Sequence, residues 1–374
     1  MTVPVRLPDL STAIGQADPF PILAAVRESG PVRRMTMRPG IPVWVVSRYA
    51  DVLAAFSDPR LSNDPHQTRE FAAVLEGDFF SRSMIGTDPP EHTRLRRLVS
   101  KAFTVRRIEA LRPRVQQITD ELLGVPQADR DRFRSWTDEI LDQPVDLRRD
   151  RDRMLANRHR MHGYLTELIA AKRREPGDDL LSALIDATDE GDRLDEQDLM
   201  AMTFLLLIAG YVTTVNLIGN GTLALLRAPA ELERLRADPS LVPGAVEEFL
   251  RFDGPVNPGV TRYAVDDLEI AGEHIARGDI VLLATAAADR DPDRFADPDR
   301  LDVAAPDRGH LGFGHGIHYC LGAPLARLEG QVAFAALLDR LPQLALAVPP
   351  EDLAWQGGGV LRGLRELPVV FRAA

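Results

Sequence analysis

Cysteine is almost missing from this chain: Cys320 is the only one in 374 residues. A solitary cysteine cannot close an intramolecular disulfide, and it cannot build a multi-thiolate metal site or a four-cysteine iron–sulfur cluster. A disulfide-stapled secreted scaffold is therefore excluded, and a reducing, cytoplasmic setting is expected. Lysine is nearly absent too, with only Lys101 and Lys172, so almost all positive charge is arginine. Positive charge as a whole is in deficit. The formal net charge of −11 argues against a general nucleic-acid binder. Long hydrophobic runs are also lacking. The longest strongly apolar stretch, Phe204 to Ala209, is too short to span a bilayer. Met1 to Leu10 has neither a long apolar run nor a signal-peptide pattern, so no membrane association is expected. No linker, low-complexity tract or internal repeat interrupts the chain, which predicts one large domain over residues 1–374. That length is ample for an extensive core.

Helical periodicity dominates what is present. It predicts helices over Tyr49–Phe56, Glu91–Phe103, Arg106–Leu123, Arg158–Arg174, Asp195–Leu226, Leu232–Ala237, Val242–Phe252 and Ala323–Leu341. β-signals are confined to Val32–Met37 and Ile41–Ser47, flanking Arg38-Pro39-Gly40 as a hairpin, and to Val260–Ala264, Leu268–Ile270 and Asp279–Leu283. A further pair is expected in Leu361–Phe371. The fold class is mainly α with a small β portion.

The one cysteine sits in Phe313-Gly314-His315-Gly316-Ile317-His318-Tyr319-Cys320-Leu321-Gly322, just before the helix-like run from Ala323. A sulfur ahead of a helix N-terminus meets unpaired N–H groups and the positive end of the dipole, which favours the thiolate. A lone thiolate suits a haem iron, where it pushes electron density toward bound oxygen. The plainer reading of a lone cysteine is a small buried hydrophobe. The surrounding residues weigh against that reading. Phe313, Gly316, His318, Cys320 and Gly322 reproduce Phe-x-x-Gly-x-His-x-Cys-x-Gly, and the loop resembles the haem-thiolate loop of the cytochrome P-450 family. The resemblance runs from about Pro31 to Phe371 and implies that family's fold, haem b as cofactor and Cys320 as the iron ligand. It also implies that Phe313 shields the sulfur, that Gly322 lets the backbone approach the macrocycle, and that His318 donates to a haem propionate.

Other segments gain meaning from the same resemblance. His92 and Arg96, in Asp88-Pro89-Pro90-Glu91-His92-Thr93-Arg94-Leu95-Arg96-Arg97, are spaced i,i+4 and share a helix face, so they could clamp one anion. Taken alone, such residues are more often a solvated face. The resemblance assigns them, with Arg262, to the haem propionates. Glu248 and Arg251 form the family's Glu-x-x-Arg, with Arg300 expected as the third member of a buried network. Leu207-Ile208-Ala209-Gly210-Tyr211-Val212-Thr213-Thr214 resembles the oxygen-side motif. In that reading Ala209 and Gly210 leave space above the iron, and Thr213 hydrogen-bonds dioxygen or its water. The ordinary alternative for a helical threonine is a bond to its own i−4 carbonyl.

Two departures from the family pattern stand out. Val212 occupies the position where the family usually carries Asp or Glu, which removes the usual proton relay. The chain also moves directly from Leu123 to Gly124-Val125-Pro126, as though a helix and strand had been excised. Ser62–Met84, Leu147–His162 and Pro255–Val260 are expected to shape the substrate pocket. The resemblance implies a monooxygenase that oxidises a small organic molecule of secondary metabolism by hydroxylation, epoxidation or oxidative coupling, using O2. No flavin or iron–sulfur domain fits in this length, so electrons are expected from an external ferredoxin and ferredoxin reductase, docking on Arg94, Arg97, Lys101 and Arg107. A catalytically silent homologue acting as partner or sensor is the competing reading.

Overall fold

The computed structural model describes residues 10, 16–38, 41–68, 79–122, 151–177, 179–189, 191–305, 309–356 and 361–371. Residues 123–150, where the shortening falls, lie outside these, as do 69–78 of the Ser62–Met84 segment and the start of Leu147–His162.

Helices α1 (Phe20–Ser29), α2 (Tyr49–Ala55), α3 (Phe79–Arg82), α4 (Glu91–Ser100), α5 (Val105–Leu122), α6 (Arg151–Arg174) and α7 (Leu180–Ile185) precede a long core helix, α8 (Glu196–Arg227). After it come α9 (Pro229–Ala237), α10 (Val242–Asp253), α11 (Thr285–Ala288) and α12 (Ala323–Arg340). Strands β1 (Val32–Arg38) and β2 (Ile41–Val46) form the expected hairpin, Val32 opposite Val46. They join β3 (Leu61–Ser62), β4 (Val260–Ala264) and β5 (Ile280–Leu283) in a five-stranded sheet of order β1-β2-β5-β4-β3, in which β2 and β5 run parallel and every other pair antiparallel. The mainly α architecture with a small sheet is the expected one. Among the described residues of Leu361–Phe371, only Val369–Val370 forms a strand, pairing with Ala345–Leu346, and Leu361 and Leu364 make isolated bridges.

α8 starts where the side chain of Asp195 accepts the backbone N–H of Asp198, capping one of the orphan donors of the first turn. The helix is apolar well beyond Phe204–Ala209: an 18-residue window reaches a mean hydropathy of 1.9, so by length and composition alone it could cross a membrane. Here it is a core helix. Leu199, Met202 and Leu205 pack with Leu95, Leu98 and Leu165, while Leu217 and Leu225 pack with Phe249 and Phe334. Gly221 is where three helices meet. A Cβ there would lie 2.6 Å from the Phe334 ring of α12 and 2.9 Å from the Phe249 ring of α10, so only glycine admits both rings. Those rings contact each other at 4.6 Å.

Under the loop that carries Cys320, α10 supplies a buried ion pair. Arg251 donates through Nε and Nη2 to the two oxygens of Glu248, each at 2.7 Å, and both side chains are buried. The guanidinium also donates to the carbonyls of Asp289, Pro298 and Arg300, and Glu248 accepts the Asp302 backbone N–H. This corrects the expectation for Arg300. Its backbone carbonyl belongs to the network, but its side chain is exposed. The acceptors a buried guanidinium needs come from the meandering backbone, leaving no role there for a second arginine.

Candidate functional site

The loop from Leu311 to Gly322 is shaped by its own backbone. Gly314 N–H donates to Leu311 O at 2.8 Å and Cys320 N–H to Phe313 O at 2.9 Å. Gly314 and Gly316 have φ of +70° and +72°, the left-handed region that side chains disfavour, so these two glycines make the turn possible. Gly322 differs. Its backbone is ordinary helix, and a Cβ there would meet only Cys320 Sγ, at 3.9 Å. The packing of the chain by itself does not demand glycine at 322. Phe313 lies 6.3 Å, ring to ring, from Tyr319 and packs against the Phe249–Phe334 core.

Cys320 is half-buried, and burial pushes its thiol above the ordinary value. The backbone N–H groups of Gly322 and Ala323 and the charges of Arg96 and Arg327 act in the opposite direction without overcoming burial. The helix-start argument thus gives the right direction for those N–H groups, but desolvation outweighs them.

His92, Arg96, Arg262 and His318, drawn from α4, β4 and the loop, gather in one place. The His92 and His318 rings lie 4.1 Å apart. Arg96 Nη2 donates to Tyr319 O at 2.9 Å, and Arg262 Nη1 to the Thr261 carbonyl at 2.9 Å. Arg262 is 5% exposed and its guanidinium stands 5.3 Å from the Phe56 ring. Burial, with the charges of His92, Arg262 and Arg96, drives His318 down to about 3. Burial also lowers Arg262 to about 10, against the pull of Asp88. His92 is lowered by burial and by Arg96, again opposed by Asp88. His92 is 2% exposed, and both of its ring nitrogens lack a hydrogen-bond partner. Buried polar atoms seldom stay unpaired. Two guanidiniums beside two buried, neutral imidazoles, one of them unsatisfied, fit an anionic group with several oxygen acceptors, such as the two propionates of a haem.

On α8 the expected oxygen-side residues face open space. Ala209 and Gly210 are exposed, and a Cβ on Gly210 would meet nothing within 4 Å. Thr213 Oγ1 donates to Ala209 O at 2.6 Å, the i−4 bond set out above as the ordinary alternative. Val212, on a different face of the helix, is 3% exposed. Leu321, next to the cysteine, packs against the cluster that contains Leu205 and Ile208 of α8.

Some site residues escaped the sequence reading. Glu329 of α12 accepts a hydrogen bond from Thr214 Oγ1 at 2.9 Å, and burial raises its pKa. Its signal was a lone acid between Leu325, Leu328 and Val332 on a helix with little other charge on that face. Arg94 is a correction in the other direction. It forms ion pairs with Glu91 at 2.8 Å, with Asp192 at 3.3 Å and with the buried Asp198, tying α4 to α8. A guanidinium so engaged is structural and is removed from the docking face, while Arg97, Lys101 and Arg107 are exposed.

Comparison with known proteins agrees with this geometry. The family profile described as Cytochrome P450 matches residues 126–342. Cytochrome P450 107B1 of Saccharopolyspora erythraea is 45% identical over 385 aligned positions, covering 92% of this chain and 93% of that protein. The aligned length exceeds the 374 residues present, so that relative carries positions this chain lacks. Vitamin D(3) 25-hydroxylase of Pseudonocardia autotrophica is 45% identical, covering 97% of this chain and 96% of its own. The solved structure of the tirandamycin C-bound P450 monooxygenase TamI superposes with a TM-score of 0.84 at 44% identity, covering 95% and 98% of the two chains. Fold, loop and relatives agree: this chain belongs to the cytochrome P450 family and is one of its monooxygenases.

Proposed function

We propose that Cys320 ligates the iron of a haem b and that His92, Arg96, Arg262 and His318 hold its propionates. The observation that carries this is His92, buried with both ring nitrogens unpartnered among three other basic groups. When bound, the haem supplies the activation of O2 and the insertion of one oxygen atom into the substrate, with two electrons and two protons reducing the other oxygen to water. The chain's residues do the rest. Cys320 is fixed by its N–H bond to Phe313 O and, as thiolate, is favoured by the N–H groups of Gly322 and Ala323. Ala209 and Gly210 leave the oxygen side open, and Phe313 and Gly322 bound the sulfur side.

Thr213 is the distal hydroxyl of this reading. Its oxygen donates to Ala209 O and keeps acceptor capacity for a water or the substrate. Val212 cannot hold a proton. Burial keeps Glu329 protonated to higher pH than an exposed glutamate, and Thr214 links that acid to the helix segment bearing Thr213. Vitamin D(3) and tirandamycin C, named for two relatives, point to a largely apolar substrate of intermediate size, such as a secondary metabolite. Electrons come from a separate ferredoxin and ferredoxin reductase, with Arg97, Lys101 and Arg107 as the basic docking face. The chain works as one domain over residues 1–374 in the cytoplasm.

The reduced-CO spectrum tests the centre of this reading. The wild type should show the thiolate-type band and Cys320→Ala should lack it; a band that survives the substitution refutes the assignment. Reduction by an acidic ferredoxin should slow with added salt, since screening acts over about 8–10 Å. Arg107→Ala should flatten that dependence; a salt slope unchanged by the substitution removes Arg107 from the docking face.

A further inference from the structure

Glu248 belongs to the recognised Glu-x-x-Arg pair, but its neighbour Glu247 reaches in another direction and touches both ends of the loop that carries Cys320. On the far side of the loop, Arg327 of α12 donates through Nε to Glu247 Oε1 and through Nη2 to Glu247 Oε2, each at 2.7 Å. On the near side, His310 Nε2 lies 3.1 Å from Glu247 Oε2. The tautomer follows from the neighbouring bond. His310 Nδ1 accepts the Gly312 backbone N–H at 3.1 Å, so Nε2 carries the hydrogen and donates to the carboxylate.

We propose that Glu247 is the positioning residue of the cysteine loop: one carboxylate on α10 that clamps His310 before the loop and Arg327 after it, holding Cys320 in register with the scaffold. The proposal rests on the reading of Cys320 as the iron ligand.

The loop's own hydrogen bonds, Gly314 to Leu311 and Cys320 to Phe313, set its shape but do not attach it to anything else. Attachment comes from outside. Leu311 N–H donates to Asp289, Tyr319 O accepts from Arg96, and Glu247 takes both shoulders. Among these ties only Glu247 grips both sides of the cysteine. Its fork geometry needs two equivalent acceptor oxygens, which a carboxylate has and an amide lacks. The Glu247 side chain is 15% exposed, so the clamp is largely shielded from water. Burial works to raise its pKa, but the bonds from Arg327 and His310 prevail and hold it at about 2, so the clamp stays ionised across the working range.

Glu247 also fixes where a charge sits. Held in the fork, the Arg327 guanidinium lies 4.7 Å from the Phe313 ring centre and donates to Tyr319 Oη at 3.2 Å. Arg327 is among the charges that favour the ionised form of Cys320. A guanidinium released by loss of Glu247 would no longer present a constant field to the sulfur.

The test uses purified holoenzyme in the wild-type, Glu247→Gln and Glu247→Ala forms. The thiolate-type reduced-CO band is followed during mild denaturant challenge, alongside helicity by far-ultraviolet circular dichroism. The expected result is loss of the band about tenfold faster than wild type in both variants, at denaturant concentrations where helicity is unchanged. Hydrogen exchange should show the Gly314 and Cys320 amides opening faster, with the amides of α10 as protected as before. Arg327→Gln, which leaves Glu247 in place, should reproduce the effect should both Glu247 variants fold poorly. Wild-type band lifetimes in the variants would overturn the proposal, as would band loss that strictly parallels loss of helicity. A wild-type holoenzyme with no thiolate-type band would instead refute the assignment of Cys320, which separates the two failures.

Discussion

Thr214 of α8 donates its hydroxyl hydrogen to Glu329 of α12 at 2.9 Å, across 115 residues of sequence. The bond places a carboxyl group one residue from Thr213, in a helix whose next position back, Val212, is apolar and buried. Burial raises the Glu329 pKa and the Thr214 bond only partly offsets it. The proposed function makes this acid the candidate to stand in for the one that α8 lacks at Val212.

Glu329→Gln should therefore lower product formed per electron pair and increase peroxide release, and Thr213→Ala should do the same. Val212→Glu should be neutral or harmful, because a carboxylate at a position only 3% exposed is buried without a partner. Product, peroxide and electron consumption measured together decide this. Improved coupling in Val212→Glu, or unchanged coupling in Glu329→Gln, would contradict it.

Arg262→Ala should weaken haem retention much more than it weakens the fold. The guanidinium is buried near Arg96 and two neutral imidazoles, where the proposed anion would supply the acceptors it lacks. Charge-assisted hydrogen bonds of this kind contribute about 1.5–3 kcal/mol each. Haem transfer to an acceptor protein measures retention, and thermal unfolding of the haem-free chain measures the fold. Equal retention in variant and wild type would exclude Arg262 from the site.

Arg251→Ala should destabilise the chain by about 3–5 kcal/mol, because it strands Glu248 as a buried charge and orphans three carbonyls. Arg300→Ala should have a small effect, since that side chain is exposed. Denaturant unfolding of the pair compares them directly; equal losses would mean that the Arg300 side chain belongs to the network after all.

Asp289 is fully buried, and burial raises its pKa from 3.8 to about 7, against the pull of His310, the Leu311 N–H and Arg251. A group raised in the folded state stabilises it fully below the unfolded value and loses that contribution as pH climbs through the folded one. Between about pH 4 and 7 the melting temperature of the wild type should accordingly carry a downward slope from this group. Asp289→Asn keeps an oxygen for the Leu311 N–H and should flatten that slope; an identical pH profile would show that Asp289 does not titrate there. Glu247 has the opposite sign: its contribution is present above about pH 4.5 and is lost as pH falls toward 2.

What could be read from the sequence was what is contiguous. The ten residues ending at Gly322 carry their own turn chemistry, and His92 and Arg96 share a face by helical spacing alone. The sheet strands were legible because Val32–Met37 and Ile41–Ser47 combine β-branched residues with a turn between them. Long-range pairings left no such trace. Glu247 looked like the neighbour of Glu248, and only the fold shows that it spans His310 and Arg327. Arg94 read as one more surface cation until Asp192 and Asp198 were seen beside it. Arg300 misled for a related reason: the partners of Arg251 are backbone carbonyls, which every residue possesses and no side-chain pattern announces. Desolvation was the last blind spot, since the burial that raises the Cys320 thiol is a property of the packed chain.

The gathering of His92, Arg96, Arg262 and His318 has a consequence for the life of the protein before it is loaded. A chain that gathers them without an anionic guest bears the burial of Arg262 and of the unpaired His92 nitrogens as lost stability, and mass action returns it in proportion to the logarithm of guest concentration over its dissociation constant. Folding yield and cofactor supply are then coupled quantities. With the haem proposed above as that guest, a cell short of porphyrin would accumulate less of this protein at an unchanged rate of synthesis, because the unladen form opens more often to proteases.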